Sequence, residues 1–186
     1  MRKSYSRRSW VDPRVEIREA PDKGRGMFAR EPIMEGEVLV VWGGILLRQD
    51  AIDAGQFKPH TVAAVGDGIY LAGAPEDEEE AADFTNHSCD PNLWMGDEVT
   101  IAARRNIQAG EELTADYAMW EGDERWVAKW QCRCGTSHCR QIITGRDWRL
   151  SELQERYKGH FSPFINQRIA SSPEMKPDIC CPRVST

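Results

Sequence analysis

All six cysteines lie at or beyond position 89, and three of them fall in the run Cys132-x-Cys134-x4-Cys139. Thiols clustered in this way constrain a chain more tightly than a hydrophobic pattern does. In a reducing compartment they are more often metal ligands than disulfide partners. A structural zinc site takes four ligands in a closed tetrahedron, so the run is one short. Cys89 can supply the fourth, which would draw the loop Asn86-His87-Ser88-Cys89-Asp90-Pro91-Asn92 against the C-terminal segment like a clasp. Lys129, Arg133 and Arg140 would ease the negative charge of four thiolates. Two other readings stay open at this level: His138 in place of one cysteine, and unrelated buried thiols. Cys180 and Cys181 sit in a tail containing Pro and Ser and read as incidental.

The 186 residues suit one domain with room for an appendage. With 24 basic and 30 acidic residues the net charge is -6. That argues against direct nucleic acid binding and favours basic partners. The basic start Arg2-Lys3-Ser4-Tyr5-Ser6-Arg7-Arg8 is followed by no apolar run, so it does not read as a signal peptide. The most apolar window, Val38 to Leu47, is interrupted by Gly43-Gly44 and falls short of the ~20 residues a membrane span needs. The expectation is a soluble intracellular protein with no membrane partner.

Along the chain, Val15 to Arg18 alternates apolar and charged residues as a half-buried strand does. Lys23-Gly24-Arg25-Gly26-Met27-Phe28-Ala29 matches a dinucleotide-type glycine pattern, but Arg30-Glu31-Pro32 would break the helix such a motif must open, so a glycine-lined strand fits better. Val38 to Trp42 is a β-branched run, and Gly44 to Leu47 is expected to continue its sheet. Asp50 to Gly55 allows one short helix. Thr61 to Val65 with Ile69 to Leu71, and Leu93 to Met95 with Val99 to Ala103, read as hairpins around glycine turns. The acidic run Glu76 to Glu80 is the kind usually found solvated near a helix start. Trp120, Trp126 and Trp130 can supply apolar walls. Ser151 to Lys158 has helical periodicity, and Ser162-Pro163 is a cap and first-turn proline for a last helix to about Ala170. Short strands at close spacing predict a mainly β fold with short helices (α+β), built from small sheets.

Asn86-His87-Ser88-Cys89-Asp90-Pro91-Asn92, then Gly110-Glu111-Glu112-Leu113-Thr114-x-Asp116-Tyr117, then the cysteine run ending in Cys139-Arg140, closely resemble the SET-domain protein lysine methyltransferases with a post-SET zinc motif. Lys23 to Ala29 resembles that family's opening motif. The resemblance implies a SET-type fold with a C-terminal pseudoknot, S-adenosylmethionine as methyl donor, and a lysine in a protein, in a basic segment, as acceptor. The resemblance covers about residues 14–145 and implies a catalytic domain at 14–119 and a zinc module at 120–145; the residues themselves read as a flexible arm at 1–13, a helical extension at 146–170 and a disordered tail at 171–186. By matching positions it assigns Lys23, Gly24, Arg25, Gly26, Met27, Asn86 and His87 to the cofactor, with Ile142 or Ile143 over its adenine. Tyr117 matches the active-site tyrosine, Tyr70 is a second candidate for the lysine channel, and Cys89, Cys132, Cys134 and Cys139 are the zinc ligands.

Two departures stand out. Asp83 replaces a basic residue frequent in the family before the Asn-His-Ser run. Ala115 replaces an aromatic residue two positions before the tyrosine, which would leave room for higher methylation states. The rival reading is a catalytically inactive SET-like interaction module stabilised by zinc. Asp83 favours it, and the trio Asn86, His87 and Tyr117 favours the enzyme.

Overall fold

The computed structural model describes residues 4–171. The Cys180-Cys181 pair and nearly all of the expected tail lie outside them. Among the described residues the strands, numbered along the chain, form three small sheets. The first contains β1 (Trp10–Val11), β4 (Val38–Val41), β10 (Thr100–Ala103) and β9 (Leu93–Met95), paired in that order. The second contains β2 (Val15–Ala20), β3 (Gly24–Ala29), β11 (Glu112–Ala115) and β8 (Asn86–His87). The third contains β5 (Ile45–Arg48), β7 (Ile69–Ala72) and β6 (Ala63–Gly66). Helix α1 (Gln49–Asp53) follows β5, and α2 (Ser151–Arg156) and α3 (Pro163–Ser171) close the described chain.

Both expected hairpins form, β6 with β7 and β9 with β10. Ser162 caps α3, its Oγ accepting the Ile165 N–H at 3.3 Å, with Pro163 opening the helix where a missing N–H costs nothing. Two expectations need correction. Residues 44–47 do not continue the sheet of β4. Gly44 takes a φ of +147°, a Cβ there would overlap the Ala72 carbonyl, and the chain turns into the third sheet.

The arm expected to be flexible is tied down. β1 pairs antiparallel with β4, Gly44 N–H donates to Ser6 O (2.8 Å), and Tyr5 Oη donates to Glu98 (2.7 Å). The helical extension packs on the domain. Trp148, Leu153, Tyr157, Phe161 and Ile165 share one core with Met27, Leu39, Leu93, Ile101 and Leu113 of the sheets.

The functional residues are positioned by a parallel pairing. β8 runs beside β11, with Asn86 opposite Thr114 and His87 opposite Ala115. Asn92 then extends the pairing with its side chain, Nδ2 donating to Glu112 O (2.8 Å) and Oδ1 accepting the Thr114 N–H (2.9 Å). A carboxamide thus fills the place of a peptide group, and a loop with turn-forming composition is fixed as firmly as a strand.

Gly43 faces the Arg8 backbone so closely that a Cβ would overlap it. Gly43→Ala should therefore lift residues 6–9 from the sheet and lower stability by about 1–3 kcal/mol in urea unfolding, with faster proteolysis of the arm.

Candidate active site

Tyr117 lies one residue beyond β11, after Asp116. Its hydroxyl donates to Thr85 O (2.9 Å), and its ring stands edge-on to His87 (centroids 5.1 Å) and Trp130 (6.2 Å) and tilted to Trp120 (5.3 Å). Burial raises its pKa, so the phenol stays neutral at physiological pH. The Tyr117 N–H donates to His87 Nδ1 (3.4 Å), which assigns the other ring proton to Nε2, 3.3 Å from Cys89 Sγ. Burial pushes His87 down to about 4, so its ring is neutral.

Two cavities meet at Tyr117. The larger, about 850 Å³, is lined by Lys23, Arg25, Phe84, Asn86, His87 and Trp130 among others. The smaller, about 260 Å³, is walled by Trp42, Tyr70, Trp120, Trp126 and Trp130. Thr85 and Tyr117 line both.

The four thiols of Cys89, Cys132, Cys134 and Cys139 lie within 4.8 Å of one another. Sulfurs about 2.3 Å from a tetrahedral zinc stand about 3.8 Å apart, and Cys89 Sγ and Cys132 Sγ are 3.9 Å apart. The Arg140 N–H also donates to Cys89 Sγ (3.3 Å). Burial pushes the Cys89 thiol up to about 11, so near neutral pH its proton is lost to solvent only when a bound cation takes its place on sulfur. The donor set fits a closed structural zinc site, and His138 has no part in it.

Residues 24–118 match the SET domain family. The chain belongs to that family. Histone-lysine N-methyltransferase ATX2 of Arabidopsis thaliana is 33% identical over 138 residues, covering 64% of this chain and 12% of that protein. Histone-lysine N-methyltransferase 2B of Homo sapiens is 31% identical over 134 residues, covering 64% of this chain and 5% of that protein. The chain thus spans a small part of the length of these curated relatives. Among solved structures, Arabidopsis thaliana SUVH6 in complex with SAM aligns with a TM-score of 0.60 at 20% identity, covering 72% of this chain and 33% of that one. KRYPTONITE in complex with mCHG DNA and SAH aligns at 0.54 and 24% identity, covering 69% and 28%. Both share the SET fold with this chain.

Of the residues assigned to the cofactor by the SET resemblance, Lys23, Arg25, Asn86 and His87 stand on the larger cavity. Gly26 lies under Asn86, where a Cβ would come 2.7 Å from Nδ2, and Gly24 supplies a φ of +74° at the start of β3. Met27 is a fully buried core residue. Ile142 is 65% exposed and lines neither cavity. Gln141 at φ 63° closes a γ-turn in which Ile142 N–H bonds Arg140 O (2.7 Å), so Ile142 points to solvent while Ile143 is buried beside Cys89 and Cys132.

Tyr70 does line the smaller cavity, but its hydroxyl is committed to Gln49 Oε1 (2.5 Å), and burial pushes its pKa up to about 12. Ala115 is fully buried and on neither wall, so the extra room expected from its small size does not open into the smaller cavity.

Asp83 also finds an explanation. It accepts the Glu80 N–H (2.8 Å) and pairs with Lys58 Nζ (2.8 Å), which is 8% exposed and lines both cavities. A positive charge therefore does stand near the cofactor loop, delivered from a distant segment. Lys58, Thr85, Trp42 and Glu121 carry no motif, and sequence reading passed over them. The acidic run is likewise occupied: Arg7 pairs with Glu76 and Asp77, Arg25 with Glu79, and Arg8 with Glu80.

Two outcomes follow. Purified protein should carry about one zinc per chain, and chelation or Cys134→Ser should lower the thermal midpoint and release it. Arg140→Ala should cost about 3–5 kcal/mol in chemical unfolding, because it strands the buried carboxylate of Asp116 that Arg140 holds in two 2.7 Å bonds.

Proposed function

We propose that this chain is a protein-lysine N-methyltransferase that moves a methyl group from S-adenosylmethionine to the ε-amine of a lysine in a protein. What carries the reading is the meeting of the two cavities at Tyr117 and Thr85: the larger is lined by residues matched to the donor, and the smaller has Trp42, Trp120, Trp126 and Trp130 among its walls. A methyl donor and an amine need such an end-to-end arrangement. The names of the relatives, histone-lysine N-methyltransferases, support the same reaction class.

The donor is a nucleoside that carries a sulfonium, an ammonium and a carboxylate, and the larger cavity carries both signs, with Lys23 and Arg25 against Asp22 and Glu79. When bound, S-adenosylmethionine supplies an electrophilic sulfonium methyl. Lys23, Arg25, Asn86 and His87 would hold it. The protein's task is then to bring in a neutral amine and aim it. The aromatic walls strip water from the incoming side chain, which favours the uncharged amine. Tyr117 spends its hydroxyl proton on Thr85 O, so its oxygen lone pairs accept an N–H of the amine and set its direction.

We place the catalytic unit at 14–119 and a zinc-holding unit at 120–145, with 146–170 completing the core. The zinc would act structurally, tying Cys89 to the segment that carries Trp126 and Trp130. The acceptor is a protein segment of basic character, a histone or another basic protein, a reading supported by the relatives' names and by the chain's net charge of -6. With a net charge of -6, nucleic acid is not the direct partner. No helix among the described residues is long and apolar enough to cross a membrane, and the relatives' histone substrates favour an intracellular site of action.

Calorimetric titration of zinc-loaded protein with S-adenosylmethionine, followed by labelled-methyl transfer to core histones, tests the reading. Asn86→Ala should weaken donor binding. Tyr117→Phe should keep it and lower kcat by about 10²-fold or more. A folded, zinc-loaded sample that binds no donor would return the chain to the rival reading of a zinc-stabilised interaction module.

A further inference from the structure

Five carboxylates line the smaller cavity: Asp77, Glu80, Asp83, Glu121 and Asp123. Four already hold a cation of the chain itself. Asp77 pairs with Arg7 (2.7 Å), Glu80 with Arg8 (3.0 Å), Asp83 with Lys58 (2.8 Å) and Asp123 with Arg125 (2.9 Å). Glu121 is the exception. Its Oε1 accepts the Asp123 N–H (2.9 Å), and among the described residues no cation is within ion-pair distance of it. The Glu121 N–H donates to Tyr117 O (2.8 Å), so the two residues share one backbone turn, and both line this cavity.

We propose that Glu121 receives the ammonium of the incoming lysine in this cavity and takes its proton, so that the amine meets Tyr117 uncharged. The proposal rests on the methyl-transfer reading and deepens it. An unpaired carboxylate among aromatic rings is costly, and the cost is relieved by a cation supplied from outside. Lysine arrives as that cation, since its amine is mostly protonated below about pH 10. The carboxylate and ammonium become a carboxylic acid and a free amine. The amine's lone pair then forms the N–C bond while the methyl's bond to sulfur breaks, its electrons staying on sulfur. The product ammonium keeps its remaining protons, and Glu121 returns its proton to water.

Burial pushes Glu121 up to about 7, a value suited to exchanging a proton near neutrality. Asp123 on the same turn adds to the rise. Tyr70 on β7 feels the charges of Glu121 and Asp123, and also those of Arg125 and of Arg168 on α3. The Arg168 guanidinium is taken up by Gly122 O (2.7 Å) and Asp67 (3.1 Å). Across the cavity lie His60 and the paired Lys58 and Arg7.

Glu121→Gln tests this, because glutamine keeps an acceptor for the Asp123 N–H while losing the charge. Glu121 does not line the larger cavity, so donor affinity should be unchanged, and this controls for folding. The assay follows kcat/KM against pH with a histone H3 amino-terminal peptide carrying a single lysine. The wild type should rise through about 7 and level off. The variant should fall at least about tenfold near neutrality and keep rising toward the lysine's own pKa of about 10.4. Equal rates and profiles in the two proteins would overturn the proposal.

Should the wild type transfer no methyl at all, the functional reading fails, and calorimetry judges Glu121 by itself. Wild type preferring the lysine peptide over its norleucine counterpart, with that preference lost in the variant, would support the role. The same preference in both would remove it.

Discussion

The bond between Asp116 and Arg140 is the constraint on which the site depends. Asp116 is fully buried and accepts both terminal nitrogens of the guanidinium, while Arg140 Nε reaches Asp147 (2.9 Å) and its backbone N–H reaches Cys89 Sγ. Tyr157 Oη and the Ala118 N–H complete the shell of Asp116. One ion pair therefore joins the end of β11, the cysteine segment and the C-terminal helices. A buried pair of this kind adds little net stability over an apolar packing of similar volume. Its value lies in register, because a planar two-point bond tolerates no slip. Tyr117 is the residue after Asp116, so its position is inherited from that bond.

The same economy of charge governs the acceptor side. The arginines at 7 and 8 stand just ahead of β1, and they neutralise the acidic residues that precede the Asn86 loop. The smaller cavity is therefore lined by carboxylates that are mostly satisfied from within, and its field on an incoming peptide is weaker than the residue count suggests. Attraction of a basic segment falls to the few groups left without a partner. Steering by a surface field would be screened within about 10 Å in ordinary salt; recognition inside a walled cavity is not.

What the sequence made legible was local or carried by spacing. Hairpins at Gly66-Asp67-Gly68 and Gly96-Asp97, the Ser162-Pro163 cap and the four-cysteine cluster each follow from residues whose chemistry acts over a few positions, or whose ligand count must close. The rest depended on distant partners. Nothing near Lys58 announces that it will meet Asp83, because that pairing exists only once β5 to β7 fold back over the loop. Ile142 and Ile143 are indistinguishable by type, and a single positive φ at Gln141 decides which faces solvent. Segments read as an arm and an extension proved to be sheet and core, since apolar residues in short runs give no sign of the surface they will cover.

The neutrality of Tyr117 sets the last constraint. Its hydroxyl is bonded to a carbonyl and its pKa is raised by burial, so at physiological pH it has no phenolate form with which to remove a proton. His87, although neutral, turns Nδ1 to the Tyr117 backbone and Nε2 to Cys89, which leaves no ring nitrogen for substrate. Tyr70 is likewise committed to Gln49. An amine that enters charged must therefore shed its proton to solvent before it arrives or to another group on the acceptor wall. The aromatic enclosure that sharpens aim at the methyl also removes the water that would take the proton. Enclosure and deprotonation thus pull against each other, and a carboxylate on the wall without an internal cation satisfies both.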